Sequence, residues 1–70
     1  MEIRYDKEAD AMYIEFSKGE FASNKKIDDL MIVDLGKDGN ILGIELLQVS
    51  RRIPLETFSE VHVKNLIATA

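Results

Sequence analysis

The feature that most constrains this chain is the segment Gly36-Lys37-Asp38-Gly39-Asn40, set between two strongly apolar runs. Asp-Gly between apolar stretches is a strong hairpin signal, and it predicts a type I turn with Gly39 left-handed in a bulge. The flanking segments then become paired antiparallel strands. Leu30-Met31-Ile32-Val33-Asp34-Leu35 is nearly all apolar, which predicts a central strand covered on both faces. Ile41 to Leu47 returns beside it, with Leu42, Ile44 and Leu46 on one face and Ile41, Glu45 and Leu47 on the other. Gly43 leaves room there for a bulge or for close approach of a neighbouring element.

The same alternation runs upstream. Ile3-Arg4-Tyr5 reads as a short first strand, and Ala11 to Phe16 as a clear one with Met12, Ile14 and Phe16 on one face. The polar cluster Asp6 to Asp10 between them predicts a turn, because Asp side chains bond nearby backbone amides. Ser17-Lys18-Gly19-Glu20 reads as the next hairpin turn, with Gly19 free to take a positive φ. Phe21 to Ile27 is a weaker strand, polar through Ser23-Asn24-Lys25-Lys26, and its lysines suit an edge. Asp28-Asp29 marks a bend. Beyond the sheet, Pro54 is placed to open a short helix through Phe58. Glu60 to Leu66 then alternates as a possible further strand, although one helix from Leu55 to Leu66 fits the spacing too. The expected architecture is α+β in a single small domain, 1–70. It has an antiparallel β-meander of about four strands, one short C-terminal helix and a possible fifth strand.

A chain of 70 residues buries only about 60% of the surface that its unfolded form exposes, and its core supplies roughly 3–5 kcal/mol. Proteins of this size add a staple. With no cysteine and one histidine, disulfides and thiolate or multi-histidine metal sites are excluded, which leaves a subunit interface. Apolar and charged contents of 46% and 31% are those of a globular domain rather than a disordered one. The formal charge of −4 disfavours nucleic acid and suits a cationic partner. No basic stripe with interleaved aromatics appears, and no apolar run approaches a membrane span. The first residues lack the basic and apolar segments of a signal peptide, so the expected compartment is the cytoplasm.

Candidate chemistry is sparse. Asp6, Glu8 and Asp10 alternate like the start of a calcium loop, but Ala11 stands where that pattern wants Gly and Ser17 where it wants Glu. They read as turn carboxylates. Asp34 and Glu45 fall on adjacent strands, where facing carboxylates would raise one pKa and create an acid, as in glycosidases. The simpler expectation pairs Glu45 with Lys25, Lys26 or Arg4. His62 stands alone, the serines sit in no nucleophile motif, and Gly36 to Gly39 carries an Asp where a phosphate would be repelled. Arg51-Arg52 reads as a solvated pair or a bridge to Glu56. No catalytic residue, metal or cofactor is expected.

Apolar residues on both sides of the sheet outrun what one short helix can cover. Tyr13, Ile32, Ile41 and Leu47 are the candidates for the less protected face, with Arg51 and Arg52 fixing orientation. The leading expectation is a small interaction protein that homodimerises or binds a small, basic partner protein through an apolar sheet face. The alternative is a small enzyme or ligand-binding protein with a pocket at a subunit interface near Asp34 and Glu45.

Three blocks carry a family resemblance: Tyr5-Asp6-Lys7-Glu8-Ala9-Asp10-Ala11-Met12-Tyr13-Ile14, Asp28 to Asp34, and Asp38-Gly39-Asn40-Ile41-Leu42-Gly43-Ile44-Glu45-Leu46-Leu47. In order and spacing they resemble the short prokaryotic proteins grouped as domain of unknown function 2283, over roughly Ile3 to Ser50. Met12 and Met31 stand where Leu, and Gly or Val, are expected in relatives, and nothing after Arg52 matches the pattern. The resemblance implies no activity, cofactor or catalytic residue. It does imply an antitoxin-like or companion role, since members often lie beside genes for small toxin-like proteins.

Overall fold

A computed structural model describes residues 1–61. Five strands form one antiparallel sheet: β1 (Glu2–Asp6), β2 (Ala11–Glu15), β3 (Phe21–Asp28), β4 (Met31–Gly36) and β5 (Ile41–Leu47). Their order across the sheet is β1-β2-β5-β4-β3. This corrects the expected four-stranded meander. Only β3, β4 and β5 form a three-stranded meander, and the β1–β2 hairpin joins them through β2 and β5.

The predicted turn at Gly36 to Asn40 forms as expected. Gly36 and Gly39 close it, with Gly39 N–H donating to Gly36 O at 3.0 Å and Gly36 N–H to Asn40 O at 2.8 Å. Gly39 has φ +84°, a conformation that costs a residue with a Cβ about 1–2 kcal/mol. The Asp38 carboxylate accepts from Asn40. A register shift follows: Asp34 faces Gly43 while Leu35 faces Ile41, leaving Leu42 as the extra residue of a bulge.

Ser17 to Glu20 is not a hairpin turn. Phe16 to Glu20 instead crosses the end of β5 and β4, carrying the chain from β2 to the far edge. Six Cα steps reach about 20 Å, enough for three inter-strand steps of about 4.8 Å. The crossing is tied down by Phe16 and Ser17 N–H, which donate to Leu42 O at 2.8 and 3.2 Å, and by Ser17 Oγ, which donates to Ile41 O at 3.0 Å. Gly19 keeps a negative φ here. Its use is proximity, because a Cβ would stand 3.0 Å from the Leu42 side chain.

β5 lies at the centre of the sheet, and β4, expected there, is its neighbour. β3 takes the predicted edge, with irregularities at Phe21/Ser23 and Lys26/Asp28 that disrupt a flat pairing surface. The C-terminal helix is not an α-helix. Val49–Arg51 and Leu55–Ser59 are single 3-10 turns, so the described chain is mostly β rather than α+β. Leu55–Ser59 is too short to repay helix nucleation and has no side-chain cap on its first amides. Glu60 is extended, but the possible strand over 60–66 lies mostly outside the described residues, as does His62. No helix among the described residues is long and apolar enough to cross a membrane.

Candidate functional site

Strand register sorts the side chains into two unlike faces. On one, Ile3, Ile14, Ile44 and Val33 stand in a row across β1, β2, β5 and β4, ending at Lys25 on β3. The next row on that face is Tyr5, Met12, Leu46 and Met31. Such a face normally meets a second layer. Here the core is confined to its ends. Met12 (3% exposed) lies towards the end that carries Val49 (1%), and Leu42 (8%) lies beside the crossing segment. In the central row Ile14, Ile44 and Val33 are only partly buried, and Ile3 is 37% exposed.

The opposite face is mixed. Arg4, Tyr13, Glu45, Ile32 and Lys26 form one row, and Glu2, Glu15, Gly43, Asp34 and Asn24 the next. The Tyr13 ring lies over Gly43, where a Cβ would collide with the hydroxyl and would stand 2.7 Å from Ile14 O. Across that gap the Tyr13 hydroxyl reaches Asp34, so one side chain spans β2 to β4. Asp34 also stands beside Glu45, its diagonal neighbour on β5. Burial, and then repulsion and a hydrogen bond from Asp34, push the Glu45 carboxyl up from its ordinary range. Burial and the Asp34 charge likewise raise the Tyr13 phenol. Arg4 stacks over the Tyr13 ring, 5.2 Å from its centroid. Beside the cluster a depression of about 320 Å³ is lined by residues that include Arg4, Tyr13, Glu45 and Leu47.

Sequence reasoning placed Asp34 and Glu45 on neighbouring strands, and the structure brings them together. In place of the expected cation Glu45 has Asp34 beside it, while Arg4 binds Glu2 at 3.0 Å and Lys26 binds Asp29 at 3.3 Å. Of the proposed contact residues, Tyr13, Ile32 and Leu47 share this mixed face, while Ile41 stands apart at the start of β5, 49% exposed. Arg51 and Arg52 lie after the sheet. Arg52 pairs with Asp28 at 3.2 Å and Arg51 bonds Gln48 at 2.6 Å, in place of the expected bridge to Glu56.

The carboxylates of the first turn are structural. Asp6 accepts from the amides of Glu8 and Ala9 at 3.0 and 3.2 Å. Asp10, at φ +50°, accepts from Ser50 Oγ at 2.6 Å and from the Tyr5 hydroxyl at 3.0 Å, while its carbonyl accepts from Val49 N–H. The Ser50 hydroxyl holds the Asp10 carboxyl below its ordinary range. This anchor, which ties the first hairpin to the C-terminal segment, was not foreseen. No local signal announces a contact across 40 residues. Among the described residues no group of three or more His, Cys, Asp or Glu is placed to hold a metal ion.

A family model described as "Protein of unknown function (DUF2283)" matches residues 2–50, which hold all five strands. No curated protein and no solved structure matches the chain.

Proposed function

The chain belongs to the DUF2283 family, whose description assigns no activity, and from its sheet we propose that it is a protein-interaction module whose contact surface is the apolar face. One observation carries this reading. A five-stranded sheet presents Ile14, Ile44 and Val33 at the centre of an aliphatic row, yet no described element buries them. Complete burial of one such side chain is worth about 1.5–3 kcal/mol, and finishing the burial of three that are only partly covered adds a share of that each to a core of roughly 3–5 kcal/mol. A polypeptide laid on this face supplies the missing layer.

Adjacent residues of β4 provide the test, since Val33 and Ile32 point to opposite faces. A photo-crosslinking residue at Val33 is expected to give polypeptide adducts in cells, and the same residue at Ile32 far fewer. Adducts at Ile32 alone would overturn the assignment of the face.

A second reading is favoured by the pushed-up Glu45 carboxyl beside Asp34 and Tyr13, above the depression that Arg4 helps to line. In that reading the mixed face binds a small polar ligand. Perturbed carboxylates gather at such sites, although structural networks produce them too. NMR titration of Glu45 and Asp34 against small polar ligands separates the two. Ligand-dependent shifts confined to these residues favour a site, and unchanged titration leaves a structural cluster.

A further inference from the structure

We propose that the apolar face is covered by a second copy of this chain, packed sheet against sheet with β5 over β5; this rests on reading that face as the contact surface. Area is the first argument. Five strands about 4.8 Å apart and roughly 20 Å long offer a plan area near 480 Å². Two copies then bury up to about 1,000 Å², the least that a specific interface uses. One sheet of the same size satisfies that requirement.

The charge pattern is the second argument. The central row carries no ionisable group from Ile3 to Val33 and reaches one only at Lys25, on the edge strand. A foreign partner is usually selected by charges placed against its own, and the centre of this face offers none. Such a face is complementary to itself. β5 is the third of five strands, so a twofold axis along it centres the interface on Ile44. The same axis lays β3 of each copy over β1 of the other, which keeps the two Lys25 side chains apart.

The edges argue against strand addition as the route. β3 carries Lys25, Lys26 and two register irregularities, and β1 alternates Glu2, Arg4 and Asp6. Neither offers a flat, uncharged row of backbone groups. The copy therefore joins through the face.

Sedimentation equilibrium tests this on the full chain at about 100 µM, a concentration at which even a micromolar Kd leaves mostly dimer. The wild type is expected at twice its 7.9 kDa mass. Ile44→Lys and Ile44→Glu should each raise the dissociation constant at least about a hundredfold, and an equimolar mixture should regain dimer, because the two positions meet at the axis. Recovery on mixing also excludes misfolding as the cause of the loss. A wild-type monomer would overturn the proposal, as would single variants that remain dimeric. A monomer that binds a hydrophobic dye, with the binding lost in Ile44→Lys, would leave the face a contact surface for some other chain. A monomer that binds no dye would remove the contact-surface reading as well.

Discussion

At the scale of single residues, the mixed face is organised by a side chain that is absent. Gly43 gives the Tyr13 ring a seat on the central strand, and that seat lets the hydroxyl reach Asp34. Gly43→Ala should destabilise the fold by about 1–3 kcal/mol through overpacking, because the Ile14 carbonyl cannot move aside as a flexible side chain can. Urea unfolding of the variant checks this, and an unchanged midpoint would contradict it. Glu45 makes a second prediction, opposite in sign to the usual carboxylate. Its folded-state pKa is raised, so it favours folding at acid pH, and that contribution is lost as pH rises through the raised value. Glu45→Gln should therefore be more stable than wild type near neutrality, with the advantage vanishing on acidification. Solvent screening at this partly open site limits the gain to a fraction of a kcal/mol. Thermal unfolding of both proteins across that range reads it, and a constant difference at every pH would contradict the assignment.

At the scale of elements, the C-terminal segment is held by hydrogen bonds more than by a helix. Ser50 and Tyr5 converge on Asp10, and the two 3-10 turns follow. Removing the hydroxyl in Ser50→Ala should speed hydrogen exchange at Val49, Arg52 and Ile53, while β4 and β5 keep their protection. Asp10 has a lowered pKa, so its contribution is present above the ordinary carboxylate range and lost as pH falls through the lowered value. Acidified wild type should then exchange like the variant. Equal speeding of exchange throughout the sheet would contradict a local anchor. What could be read from sequence divides along the same line. The turn at Gly36 to Asn40, the strands either side of it and the edge character of β3 are set by neighbouring residues, and each was legible. Ser17 to Glu20 was misread because a polar segment with Gly looks the same whether it reverses the chain or carries it across a sheet. The pairing of β2 with β5, and of Asp10 with Ser50, joins residues far apart in the chain, and alternation alone does not encode the partner. Asp34 and Glu45 could be brought together because they flank one recognisable turn. Tyr13 joined them only through that long-range pairing.

At the scale of the whole molecule, the account turns on a mismatch between a sheet and its cover. The chain spends five strands on a surface with one aliphatic face, and the described residues bury that face only towards its ends, at Met12 and Leu42. A chain of 70 residues without disulfides has few other ways to complete a core. A second sheet at about 10 Å would complete it as a two-layer sandwich. The most direct measurement is methyl NMR of the full chain with a soluble paramagnetic agent, at a concentration where it assembles. The Ile14, Ile44 and Val33 methyls are expected to be shielded like those of buried Val49, while Ile32 on the opposite face is broadened. Broadening of Ile44 and Val33 to the extent of Ile32 would show the apolar face open to solvent and contradict the account.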